Sequence, residues 1–148
     1  MKTLIFTLFM IFASGSMSAQ KDVKTILDKY IELKNALIKS DSKQASLFAT
    51  ELAVTLEGEN DFKNRNELIE TVQKIKKTSE IEKQRESFSV LSNELWSIVK
   101  NATQINDTIY YQYCPMKKAY WLSTDSVIKN PYYGSKMLSC GSVSERKN

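Results

Sequence analysis

Apolar residues recur in steps of three and four from Val23 to Val99, and the rhythm stops there. Val23, Ile26, Leu27, Tyr30, Leu33 and Leu37 fall on one face of a helix, with lysines and acids opposite. Ser40-Asp41-Ser42 breaks that stripe and offers cap oxygens for the next helix. Ala45, Phe48, Ala49, Leu52 and Leu56 form a second stripe, whose alanines let a neighbouring helix approach closely. Gly58, Asn60 and Asp61 mark a turn. A third helix is predicted from about Asn64 to Lys77, through Leu68, Ile69, Val72 and Ile75. A fourth starts near Ser79, where Glu82 three residues on completes a capping-box pattern.

The fourth stripe is Ile81, Arg85, Phe88, Leu91, Leu95, Ile98 and Val99. Arg85 therefore stands in register with apolar positions. The commoner reading is a rim residue whose stem covers the core while its head stays in water. The sharper one has its guanidinium paired with a carboxylate or with backbone carbonyls of the C-terminal segment. Four amphipathic helices over about residues 21–101, joined by short loops, predict an antiparallel four-helix bundle.

Beyond Asn101 the period changes. Thr108-Ile109-Tyr110-Tyr111-Gln112-Tyr113 and Ala119-Tyr120-Trp121-Leu122 are rich in β-branched and aromatic residues and read as two strands of a small hairpin. Cys114-Pro115-Met116-Lys117-Lys118 connects them, and Ser123-Thr124-Asp125 is polar and turn-like. Pro131 restricts Asn130 to an extended backbone, and Gly134 permits a sharp bend. The fold class expected is mainly α: the bundle, then a C-terminal β-hairpin and an irregular Cys/Met-containing tail over about 105–148. Isolated hairpins are marginal in water, so Trp121 and Tyr132 are expected to be buried against the helices.

Composition supports this picture. The chain has 148 residues, 42% hydrophobic and 26% charged, with only four glycines and two prolines, which favours long helices over a turn-rich β fold. The first residues stand apart. Lys2, the apolar run Leu4–Ala13 and the small residues Ser14 to Ala19 describe a secretory signal peptide over 1–19, leaving a single domain over 20–148. Ten or so apolar residues are too few to span a bilayer, which takes roughly 20, so no membrane span is expected in the mature chain. No cysteine lies near the cleavage point, which argues against a lipid anchor. Export to the periplasm or outside the cell follows.

The formal net charge of +4 falls to +3 without Lys2. Lysines alternate with acids, so a solvated surface is expected and no nucleic-acid partner. Cysteine usage changes the picture more. Both cysteines, Cys114 and Cys140, lie in the last segment, with Met116 two residues after the first and Met137 three before the second. If Pro131 and Gly134 reverse the chain, four sulfurs meet. Two readings stand. Two cysteines in an exported protein most simply form a disulfide, and closing the loop between positions 114 and 140 contributes about 3.5 kcal/mol. Alternatively Cys114, Met116, Met137 and Cys140 are soft metal ligands, which suits Cu(I). The chain has no histidine, which removes imidazole-ligated zinc and Cu(II) sites.

The same lack removes Ser-His-Asp and Cys-His catalysis. There is no C-x-x-C pair and no glycine-rich phosphate loop, so no enzyme is expected; thiol redox activity is the minor possibility. Lys117 and Lys118 stand where they would lower the Cys114 thiol pKa, although paired lysines are more often simply solvated.

The runs YCPMKKAYWLS and IKNPYYGSKMLSCG, with FSVLSNEL and Gln84-Arg85 upstream, resemble the DUF3347 family of exported bacterial proteins of unestablished function. The resemblance extends over nearly the whole mature chain. It implies a place in copper or related metal handling, because such domains also occur attached to heavy-metal efflux adaptors. The expected function is then a soft-metal binder that buffers Cu(I) or delivers it to an efflux adaptor. The alternative is a disulfide-stapled interaction module whose aromatic hairpin docks onto a partner.

Overall fold

Every apolar position of the first stripe is buried. The computed structural model describes residues 18–58 and 64–148, with side chains from residue 23 onward. Helix α1 spans Ser18–Ile38, and Val23, Ile26, Leu27, Tyr30, Leu33 and Leu37 are each no more than 5% exposed. The predicted signal peptide falls almost wholly outside the described residues, as do Asn60 and Asp61 of the predicted turn.

Helix α1 ends in a Schellman arrangement. The Ser40 N–H donates to the Leu37 carbonyl and the Asp41 N–H to the Ala36 carbonyl. Ser40 takes the left-handed conformation usually given to glycine, at φ 56°. Asp41 then caps α2, Ser42–Glu57, through its Oδ1, which accepts from the Gln44 N–H at 2.9 Å. Ala45, Ala49, Leu52, Ala53 and Leu56 are buried; Phe48 is half-buried. Arg65 opens α3, Arg65–Lys76, and its guanidinium satisfies the last α2 carbonyls, Leu56 at 2.9 Å and Glu57 at 2.7 Å. Helix α4 spans Ile81–Val99.

The predicted capping box at Ser79 is not formed. Glu80 is the cap residue, with no side-chain cap bond, and its N–H donates to Thr78 Oγ1. Glu82 turns instead to two cations, Arg85 and Lys117. Successive helices pack on one another, and α4 lies against α1 and the second strand.

The hairpin prediction was too small. Strand β1, Ile109–Cys114, pairs antiparallel with β2, Ala119–Ser123, in the register Tyr113 to Tyr120 and Cys114 to Ala119. A third strand, β3, Ser142–Lys147, runs along the other edge of β1 and completes a sheet ordered β2-β1-β3. The expected irregular tail is therefore partly strand. It escaped detection because five of its six residues are exposed, so its two faces show no apolar alternation. A bulge skips Ser144 between the Tyr111–Glu145 and Gln112–Val143 pairs.

One continuous set of buried residues joins helices and sheet. Tyr30 and Lys34, one turn apart on α1, both reach the end of β2. Tyr30 Oη accepts from the Leu122 N–H at 3.0 Å, and Lys34 Nζ donates to Ser123 Oγ at 3.3 Å. Trp96 of α4 stacks on Tyr111, and Tyr111 on Tyr120, at centroid separations of 4.7 and 4.6 Å. Trp121 and Tyr132 are both buried, as the marginal stability of a free hairpin required.

Candidate dithiol site

Cys114 closes β1 and is fully buried; Cys140 stands two residues before β3 and is half-buried. Because Tyr113 pairs with Ser142, the antiparallel ladder carries Cys140 back alongside Cys114. Their sulfurs lie 3.9 Å apart as free thiols sharing a hydrogen bond. The chain reversal expected between them is real. Pro131 and Gly134 contribute to it, but a buried asparagine organises it.

Asn130 is 0% exposed and spends every polar group on this loop. Its N–H donates to the Leu138 carbonyl at 2.7 Å, and its Nδ2 donates to the Cys140 carbonyl at 2.7 Å. Its Oδ1 accepts from the Tyr132 N–H at 2.8 Å, an Asx turn. Tyr132 Oη in turn donates to the Tyr120 carbonyl of β2. Gly141, at φ +146°, is required on two counts: a Cβ there would stand 2.8 Å from the Trp121 ring and 2.8 Å from the Tyr113 carbonyl.

Arg85 anchors the loop to the helices, which overturns its reading as a rim residue. It is 4% exposed. Nε donates to the Pro131 carbonyl at 2.8 Å; Nη2 donates to the Leu37 carbonyl at 3.1 Å and to Ser40 Oγ at 2.9 Å. Nη1 meets Glu82 at 2.7 Å. A planar guanidinium offers five donors in a fixed fork, so one side chain ties the α1 terminus, α4 and the loop together. Gly134 packs against this junction at φ +56°, where a Cβ would stand 2.7 Å from the Ile38 carbonyl.

Electrostatics favour the protonated form of the Cys140 thiol. Burial pushes the Cys140 thiol above its ordinary value, and the hydrogen bond and charge of Cys114 push it further. Lys117, two residues after the connection's proline, engages other groups: its Nζ lies 3.3 Å from Glu82 and 5.8 Å from the Tyr133 ring centre. Burial alone would raise the Glu82 carboxyl, but Arg85 and Lys117 outweigh it and hold the group below its usual range.

The methionines behave differently from the cysteines. Met116 is 65% exposed in the β1–β2 connection and Met137 is 37% exposed. Neither fills a gap in the core, which is the ordinary use of the residue. Among the described residues no group of three or more Cys, Asp or Glu side chains gathers around a common point. Further donors to the thiol pair would be thioethers or backbone carbonyls.

Sequence reasoning missed the roles of Asn130 and Lys34. The Asn-Pro dipeptide was the available signal for the first, because asparagine before a turn bonds its own backbone. Lys34 gave a fainter one, a cation following Leu33 one turn after Tyr30 on the buried stripe. No helix among the described residues is long and apolar enough to cross a membrane.

A family model described as a protein of unknown function (DUF3347) matches residues 26–107. The match covers α1 from Ile26 onward and the whole of α2, α3 and α4, and it stops before β1, so the sulfur-bearing motifs lie beyond it. No curated protein and no solved structure matches the chain.

Proposed function

The chain belongs to the DUF3347 family, and we propose that it is an exported, non-catalytic binder of a soft metal ion, Cu(I) above all. Cys114 and Cys140 are the thiolate ligands, with Met116 and Met137 as thioether donors. One observation carries the reading: two free thiols at 3.9 Å, with an exposed methionine two residues after the first and another three residues before the second. A metal about 2.3 Å from each sulfur, a typical thiolate bond length, subtends about 115° at that separation. That angle lies between trigonal and tetrahedral and leaves one or two positions for thioethers. Soft sulfur donors select Cu(I) over hard ions.

The half-exposed Cys140 provides the entry side, and the raised thiol pKa makes uptake release protons and strengthen with pH. The efflux adaptor implied by the family resemblance is the proposed recipient. A second reading draws on the same closeness: a disulfide that staples β1 to the loop and leaves an aromatic surface, where Tyr113 and Tyr120 meet at 4.5 Å, free to dock a partner.

Anaerobic titration of the reduced protein with Cu(I) against a competing chelator separates them. One equivalent bound, severely weakened by Cys114→Ser or Cys140→Ser and less by Met116→Leu or Met137→Leu, is expected, because a neutral thioether offers less charge than a thiolate. If both cysteine variants bind as tightly as the parent, the site lies elsewhere.

A further inference from the structure

The two thiols differ in access, and that asymmetry assigns them different jobs. Cys114 is 0% exposed, in the sheet at the end of β1 and paired with Ala119 of β2. Cys140 is half-buried, in the loop above it, and is held by Asn130 through its backbone carbonyl rather than its sulfur. An incoming reagent meets the Cys140 sulfur first. The Cys114 sulfur is already in contact with it at 3.9 Å. Closing that gap to the roughly 2 Å of a disulfide takes a shift of about 2 Å in sulfur position.

We propose that Cys114 and Cys140 form a two-step acceptor for thiol–disulfide exchange with small disulfides, Cys140 as the entry thiol and Cys114 as the resolving thiol. In the first step Cys140 loses its proton to solvent and its sulfur attacks one sulfur of the small disulfide. That S–S bond breaks, a mixed disulfide forms on Cys140, and the expelled thiolate takes up a proton. In the second step the Cys114 sulfur attacks Cys140 Sγ and breaks the mixed S–S bond, and the expelled second small thiolate takes up the proton that Cys114 gives up. Two protein thiols are oxidised by two electrons and one small disulfide is reduced to two thiols. The co-reactant is a low-molecular-weight disulfide of the glutathione class.

The exchange has a consequence that rests on the metal reading given above. The disulfide removes both thiolate donors at once, so oxidation empties and closes the metal site. The neighbouring methionines alone carry no charge to hold the ion.

Glutathione disulfide added to the reduced full chain, followed by intact mass and peptide mapping, tests the order. The parent is expected to lose two hydrogens with only a transient adduct. Cys114→Ser is expected to stop at one stable glutathione on Cys140, and Cys140→Ser to gain adduct at least ~10-fold more slowly, because the buried Cys114 sulfur is within reach of Cys140 but not of an incoming reagent. An adduct on Cys114 of Cys140→Ser as fast as that on Cys140 of Cys114→Ser overturns the assignment. So does a stable mixed disulfide in the parent. Quenching the parent with N-ethylmaleimide in the first moments tests the same order without a variant: glutathione first on Cys140 supports it, and first on Cys114 overturns it. Titrating the oxidised parent with Cu(I) tests the closure, for which at least ~100-fold weaker binding than the reduced form is expected from the loss of two charged donors. Equal affinity overturns it. A reduced protein that binds no Cu(I) overturns the metal reading and the closure with it, while the adduct order stands or falls on its own.

Discussion

The helical region and the sulfur-bearing region of this chain are built by different physics. In the helices, periodic burial does the work: nearly every stripe residue lies where a period of 3.6 puts it, and the family match falls on this part. In the segment after Asn101 the shape depends on a few polar side chains that bond backbone groups. Asn130 and Arg85 hold a loop whose own residues show no pattern. Non-directional burial tolerates exchange of one apolar residue for another, whereas a buried carbonyl with a single donor does not. Breaking one polar clamp is therefore expected to disturb the dithiol far more than the helices.

The largest effect is expected from Arg85→Met. It leaves the Pro131 carbonyl without its donor and takes one of two donors from the Leu37 carbonyl, a loss of about 4 kcal/mol for two hydrogen bonds from a charged group. Far-UV circular dichroism at low temperature should stay helical while Cys140 alkylation by iodoacetamide accelerates. Unchanged thiol reactivity would show that the loop does not depend on the helix anchor.

Lys34 gives a sharper test, because it joins the two regions through a titration. Burial first, then Lys129, lowers its pKa from 10.5 to about 8, with Asp125 opposing. It forms no ion pair within 4.0 Å among the described residues, only the bond to Ser123. Below pH 8 the amine is charged in both folded and unfolded chains, and the full burial penalty is present. Between about 8 and 10.4 the folded chain has lost that proton and the unfolded chain keeps it, so stability rises with pH. The gain approaches about 3 kcal/mol over that window. Above pH 10 the trend reverses. Burial raises the Tyr111 phenol to about 12, Tyr30 further, and Tyr132 well above its ordinary value, so unfolded tyrosines ionise first. Lys34→Met should match or exceed the parent in stability at pH 7 and lack the rise between 8 and 10 in urea melts. A parental rise that survives in the variant would assign it to another group.

Asn130→Ala comes next. It strands the Cys140 carbonyl and the Tyr132 N–H, about 2 kcal/mol together. If the loop positions the thiols, Cu(I) affinity falls with it. A stability loss with unaltered Cu(I) affinity would separate loop folding from the site.

Legibility followed the same divide. The four helices, the first two strands and the burial of Trp121 and Tyr132 were readable, because each rests on period or on bulk. Strand β3 was not, since an edge strand exposed on both faces carries no alternation. The closeness of Cys114 and Cys140 was inferred from two turn residues, yet the contacts that produce it belong to Asn130 and Gly141. Arg85 was visible as a cation in an apolar register, and only the placement of Pro131, Leu37 and Ser40 around it decides between rim and clamp. Hydrogen-bond partners separated by more than forty positions leave no local trace.

The smallest effect is expected at Ser40, where the two kinds of construction meet. Its left-handed backbone costs about 1 kcal/mol relative to glycine. Its hydroxyl returns about as much by accepting from Arg85 at 2.9 Å. Ser40→Gly relieves the strain and loses the bond, so the two changes nearly cancel and the melting temperature should move little. Ser40→Ala keeps the strain and loses the bond, so it should fall about 1 kcal/mol below Ser40→Gly. In an Arg85→Met background the hydroxyl has lost its donor. Ser40→Gly should then stabilise by about 1 kcal/mol, the strain alone. If Ser40→Gly has the same effect in both backgrounds, the bond to Arg85 contributes nothing, and the α1 terminus is held by its Schellman bonds without help from the loop clamp.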